Sequence, residues 1–334
     1  MESAVAAGTE HVWIEICGHR VHALRALGAC RGGDCKEEGR RGGVAVLVHG
    51  VLGSSASFGT CMRELSLGDF DEVWAVDLPG FGRTHWPLSS DPLSLWVEFL
   101  RLFMDAVCAK HATVLVGHSL GGFVAAHFAL KYPQRVGRLV LVSPAGMLPT
   151  LGGAGFYWAH AFHAPLLGLV RSLARVLGGL PFLLSCSGTW QYWFAVIAHP
   201  LGWGDRAVAS FIEASWTRAR WTRPFFDHLS SVAVPVVTVF GEQDPLTPMH
   251  QGVLLRHTHG IPCAVVANAG HVPLGCAEVC ETIQGKRGAV IPRRSVGVRG
   301  DEFWARFESL PSVWRTRSVL CGLYRALLGW DEFL

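Results

Sequence analysis

Ser119 lies in Gly117-His118-Ser119-Leu120-Gly121, a serine flanked on both sides by small residues. A serine hydroxyl is a poor nucleophile until a base takes its proton, and the base needs an acid to orient it. Two later segments offer those partners. Gly241-Glu242-Gln243-Asp244 leads to Pro248, and Asn268-Ala269-Gly270-His271 leads to Pro273. The order Ser, Asp, His along the chain is one in which such a triad is found. Singly, Asp244 reads as a turn cap and His271 as one of 16 histidines. With Ser119 in the right order, the three read as nucleophile, orienting acid and base. An oxyanion formed at Ser119 would need backbone N–H donors. His49-Gly50-Val51-Leu52-Gly53 supplies a loop for them, and the expected donors are the N–H groups of Val51 and of Leu120. No lysine follows these glycines, so the loop does not read as a phosphate cradle.

The elements that must position these residues follow from hydrophobic runs. Val44–Val48 is short, wholly apolar and ends in His49-Gly50, as a strand buried on both faces does. Val73–Val76, Thr113–Val116, Leu139–Val142 and Pro235–Phe240 repeat it, and Cys263–Ala267 is a weaker example. Helical patterns run over Leu93–Ala109 and Leu120–Tyr132. Trp13–Cys17 and Arg20–Leu24 flank Gly18-His19 as a hairpin, and 32–43 reads as a surface loop. Strands alternating with helices predict a mostly parallel sheet covered on both faces. Ser119, Asp244 and His271 then all fall just past carboxyl ends of strands, where open α/β sheets bind ligands.

Composition narrows the class. Half of the 334 residues are apolar, and only 16% are charged, against roughly 25% in an average soluble domain. Disorder and collagen are excluded, and a net charge of +3 is too small for a nucleic-acid binder. From Leu139 to Gly204 the only charged residues are Arg171 and Arg175, and aromatics crowd the stretch. It predicts a helical cap over 145–226, between core segments 10–144 and 227–334. Glycines, prolines and polar residues interrupt 176–204 too often for a membrane span. Trp158, Trp190, Trp193, Trp203, Trp216 and Trp221, with Arg206, Arg218, Arg220 and Arg223 at the exit, make the cap either a lipid-facing lid or simple packing over the core. The ten cysteines form no C-x-x-C pair, and Met1–Ala7 has no basic flank. A cytoplasmic chain with reduced thiols is expected, with peripheral membrane association where the cap is the lipid-facing lid.

The chain resembles the α/β-hydrolase superfamily in four motifs: His49–Gly53, Gly117–Gly121, Gly241–Pro248 and Gly270-His271. A fifth, Asp77-Leu78-Pro79-Gly80-Phe81-Gly82-Arg83-Thr84, is similar to the turn such proteins carry after their fourth strand, where Asp77 and Arg83 shape the loop. The resemblance covers about 10–145 and 227–283 and implies the α/β-hydrolase fold with an inserted helical cap. Relatives that place aspartate at the nucleophile, such as epoxide hydrolases and haloalkane dehalogenases, do not fit Ser119. Some members hold the acid after strand six, where this chain has Ser143-Pro144. Gly121–Ala126 and Lys131–Val136, leading to Leu139–Met147, resemble lipid-directed ABHD-type members. Some of these carry H-x-x-x-x-D from the catalytic histidine, a pattern linked to acyl transfer onto lysophospholipids. Here Cys276 stands in place of that aspartate. A closing helix expected soon after His271 is broken by a basic, glycine-containing stretch, 284–300, before helical patterns resume over 301–310 and 313–328.

These residues imply a serine hydrolase cleaving carboxylic esters through Ser119, Asp244 and His271, with apolar or lipid-like esters as the small-molecule partner. No cofactor is required. No metal is expected either, because His257-x-His259 lacks a third ligand at suitable spacing. Two alternatives stay open: lipid acyl transfer by the same triad, and a non-catalytic lipid- or ligand-binding homologue that retains it.

Overall fold

A computed structural model describes residues 8–28, 43–51, 53–68, 70–87, 89, 91–108, 113–146, 228–244 and 246–286. Its elements in chain order are β1 (Thr9–Ile16), β2 (His19–Leu27), β3 (Gly43–Val48), α1 (Gly59–Ser66), β4 (Phe70–Val76), α2 (Pro92–Val107), β5 (Thr113–His118) and α3 (Leu120–Lys131). Then come β6 (Val136–Val142), β7 (Val236–Gly241), α4 (His250–His259), β8 (Cys263–Val266) and α5 (Ala277–Gln284). The strands form one sheet ordered β1-β2-β4-β3-β5-β6-β7-β8. β2 pairs antiparallel with β1 and β4, and every other pairing is parallel.

The apolar runs are strands because both of their faces are buried. Along β3, Val44, Val46 and Val48 join one core cluster while Ala45 and Leu47 join the other, the period of two that a pleated strand imposes. The first cluster is closed by α2, α3 and α4, through Trp96, Phe99, Phe103, Phe128 and Leu254 among others. The second is closed by α1 and α5, through Met62, Leu65, Val279 and Ile283. Helices therefore cover both faces, as the alternation of runs predicts. α2 starts one residue before the expected Leu93 because Asp91 caps it, accepting from the Ser94 N–H at 3.3 Å, with Pro92 in the first turn.

Several strands extend beyond their apolar runs. β4 starts at Phe70 and β6 at Val136, each three residues ahead of the expected start, and β5 continues through His118. The hairpin is longer too, with β1 starting at Thr9 and β2 ending at Leu27. The cap expected over 145–226, with its tryptophans and arginines, falls outside the described residues after Gly146. So do the expected surface loop apart from Gly43, and the chain from 287 onward. Gln284, expected to open the basic interruption, instead ends α5, and Gly285 caps that helix in the left-handed region.

The loop after β4 has the structural role expected of it. The buried Asp77 carboxylate accepts from the Ser55 N–H (2.6 Å), the Arg83 N–H (2.8 Å) and His22 Nδ1 (2.8 Å). Burial pushes its pKa up, but the His22 hydrogen bond, the electrostatic influence of His49 and the two backbone donors outweigh it and hold the carboxyl below its ordinary value. Arg83 contributes its backbone N–H, and its side chain is exposed. One carboxylate thereby ties β2, the segment that follows the Val51 loop and the 81–84 turn to the end of β4.

Candidate active site

Ser119 occupies the one-residue turn between β5 and α3, with φ 51° and ψ −116°. A non-glycine residue at such an angle carries of order 1–3 kcal/mol of strain, held only where its surroundings over-determine it. The surroundings here are tight. A Cβ on Gly117 would collide with the Gly121 carbonyl, and one on Gly121 with the Val48 carbonyl. Both flanking positions of the motif must therefore lack a side chain for the turn to close. The Ser119 N–H donates to Val142 O at 3.0 Å, and its carbonyl accepts from the Ala145 N–H at 2.9 Å. These bonds lash the turn to the end of β6.

The three residues expected to act together meet at this turn, although they are far apart in sequence. Ser119 Oγ is 3.0 Å from His271 Nε2, and His271 Nδ1 is 2.9 Å from Asp244 Oδ2. All three are buried. A carboxylate only accepts, so Nδ1 carries the imidazole proton and Nε2 is left as the acceptor facing the serine hydroxyl. Burial raises the Asp244 pKa, but the charge and hydrogen bond of His271 and the donors from Thr247 more than offset it, so the carboxyl lies below its ordinary value. The loops carrying acid and base are laced together. Gln243 N donates to Ala269 O (2.8 Å), Glu242 N to Val266 O (2.9 Å) and Asn268 N to Glu242 Oε2 (2.9 Å).

The expected oxyanion donors flank Ser119. Val51 is half-buried just past β3, and Leu120 is the first residue of α3. Among the described residues, neither N–H donates to another protein group. The Gly50–Val51 peptide is held by His49, whose Nδ1–H donates to Gly50 O (2.7 Å) while its Nε2 accepts from the Leu78 N–H (3.0 Å). A planar trans peptide fixed at its carbonyl is also fixed at the following N–H. Leu52 lies outside the described residues.

Two neighbours were passed over in the sequence. Thr247 Oγ1 donates to Asp244 Oδ2 at 2.6 Å and lies 3.3 Å from His271 Nδ1. Asp244 Oδ1 also accepts from the N–H groups of Leu246 (2.8 Å) and Thr247 (3.0 Å). A threonine three residues after an aspartate in a turn is the signal for such a bond. The second is His118, whose Nε2 is 2.8 Å from the His271 carbonyl oxygen. Being adjacent to Ser119 in the motif was its only signal. Among the described residues no group of three metal-ligating side chains gathers, and no helix is long and apolar enough to cross a membrane.

Burial lowers the pKa of His118 to about 3, the nearby His271 adding to the effect. The unfolded chain therefore takes up a proton here as pH falls through about 6.5, while the folded chain does not until about pH 3. Stability is expected to drop across that window, by on the order of a few kcal/mol from this group. Urea titrations between pH 7 and 4 should show a steeper loss for the wild-type chain than for His118→Gln. Parallel slopes would mean that His118 takes up its proton as readily in the folded chain as in the unfolded one.

The alpha/beta hydrolase fold family matches residues 44–275. The chain is similar to the human 1-acylglycerol-3-phosphate O-acyltransferase ABHD5, 40% identical over 107 residues, which is 30% of this chain and 29% of that protein. It is 41% identical over 105 residues to abhydrolase domain-containing protein abhd-5.2 of Caenorhabditis elegans, 30% of this chain and 23% of that one. The matched part thus spans under a third of either relative. The solved structure of Cfl2 from Burkholderia cenocepacia superposes with a TM-score of 0.60 at 21% identity, covering 86% of this chain and 98% of that one.

Proposed function

The chain belongs to the alpha/beta hydrolase fold family, and we propose that within it the protein is a serine hydrolase acting on carboxylic esters. One observation carries this reading: the continuous chain from Ser119 Oγ through the His271 ring to Asp244, with steps of 3.0 and 2.9 Å. As Ser119 Oγ attacks the ester carbonyl carbon, His271 Nε2 takes its proton, and Asp244 stabilises the imidazolium. The carbonyl oxygen becomes an oxyanion that accepts from the Val51 and Leu120 N–H groups. Collapse of the tetrahedral intermediate breaks the bond to the leaving alkoxide, which takes the proton from His271 as it departs. Water then repeats the sequence on the acyl-serine, releasing the acid and restoring the hydroxyl.

The favoured substrate is an ester with an apolar or lipid-like acyl chain, because residues 139–204 are nearly devoid of charge and rich in aromatics. The tryptophans of 145–226 suit peripheral contact with a membrane surface. Acyl transfer is the second reading, favoured by the acyltransferase activity in the name of the human relative. Against it stands Cys276, where the transferase-linked pattern has aspartate. Burial, aided by the charge of Glu278, raises this thiol's pKa, so at neutral pH position 276 is an uncharged thiol that cannot replace a carboxylate.

Incubation with a lysophospholipid and an acyl-CoA should yield free fatty acid as the main product, and dominant diacyl product would establish transfer instead. On simple esters, kcat/KM should climb with acyl length, since each buried CH₂ contributes about 0.8 kcal/mol. A flat profile would remove the apolar acyl site from this reading.

A further inference from the structure

His118 joins three parts of the site. It ends β5 beside Ser119 and is buried. Because a carbonyl only accepts, its Nε2–H donates the 2.8 Å bond to the His271 carbonyl oxygen. The two imidazole rings lie 5.1 Å apart and tilted by 51°. Its other edge rests on the Val51 loop. A Cβ on Gly50 would come within 2.9 Å of His118 Nδ1, closer than real Cβ contacts come, and 3.0 Å of Ser119 Cβ. The bare Gly50 backbone therefore leaves the room that the His118 ring fills.

We propose that His118 is a positioning residue for proton transfer: its Nε2–H clamps the His271 backbone against the Ser119 turn and so sets the distance between nucleophile and base. This rests on the serine-hydrolase reading and goes beyond it. His271 stands on a loop past β8 that continues into exposed Val272, so the orientation of its ring depends on where its own backbone is held. The Asp244 bond fixes the far side of the ring, and the His118 bond fixes residue 271 itself, directly from the neighbour of the nucleophile. Losing the clamp lets the backbone of residue 271 slide along the turn. A displacement of about 1 Å at reacting atoms can cost on the order of 100-fold in rate. Burial keeps the His118 ring neutral at working pH. It therefore stays a donor and does not compete with His271 as the base.

The full chain, His118→Leu and His118→Gln should be compared on a soluble p-nitrophenyl ester and in their rate of inactivation by a fluorophosphonate. Leucine removes the donor, and glutamine places an N–H where Nε2 was. His118→Leu should lower kcat and the inactivation rate about 10- to 100-fold with KM within about twofold. His118→Gln should recover most of that loss. A side chain that merely fills space would give the opposite order, since leucine packs better than glutamine. If His118→Leu does not fold, His118→Met, which also lacks a donor, replaces it. The proposal is overturned if the donor-less variant keeps wild-type kcat, or if His118→Gln is as slow as His118→Leu. A wild-type chain that the fluorophosphonate does not modify is a distinct result, because it removes the serine-hydrolase reading beneath the proposal.

Discussion

Ser119→Ala is expected to eliminate ester turnover, by on the order of 10⁶ in kcat, the scale of loss when the nucleophile alone is removed from a serine protease. The substitution deletes one buried oxygen and leaves the turn as it is, because Ala keeps the Cβ that the φ of 51° and ψ of −116° already accommodate. His271 Nε2 loses its partner at 3.0 Å, and water can take that place. Circular dichroism and urea midpoint should therefore match the wild type while turnover falls to the assay floor. Activity within tenfold of the wild type would place the nucleophile elsewhere.

Asp244→Asn should cost on the order of 10⁴ in kcat, as the same change does in a serine protease. The local geometry dictates which way the amide faces. Oδ1 accepts from the N–H groups of Leu246 and Thr247 at 2.8 and 3.0 Å, so the amide oxygen is retained there. The NH₂ group then points at His271 Nδ1, where Oδ2 stood at 2.9 Å. Two donors cannot face each other, so the imidazole shifts its proton to Nε2 and can no longer accept from Ser119. KM should change little, because the Asp244 side chain is fully buried against the His271 ring. Steady-state kinetics on a purified, folded variant decide this. Near-normal kcat would require another acid, and the position after β6 offers only Ser143, whose buried Oγ has no hydrogen-bond partner among the described residues.

The parts of the fold legible in the sequence are those where one physical constraint acts alone. The strands carrying Gly50, Ser119 and Asp244 are buried on both faces, so they appear as unbroken apolar runs. The turn at Ser119 is marked by glycines because neighbouring carbonyls leave no space for a Cβ at 117 or 121. Strand starts were hidden where charged side chains find ion-pair or hydrogen-bond partners from distant elements. Glu72 within β4 pairs with Arg25 of β2 at 2.5 Å, and Arg138 within β6 reaches the Thr282 carbonyl of α5 at 2.8 Å. An isolated charged residue reads as the end of a strand unless its partner is known, and these partners are 47 and 144 residues away. His118 was hidden for the same reason, because its bond to the His271 carbonyl comes into place only when the strands assemble. Thr247 differs, since its partner Asp244 stands three residues away in the same turn.

The most direct test of the account is intact-mass and peptide mapping of the wild-type chain after brief exposure to a fluorophosphonate, with Ser119→Ala in parallel. The account predicts a single adduct on the peptide holding Ser119 and none on the variant. An unmodified wild-type chain, or equal labelling of both chains, would contradict it.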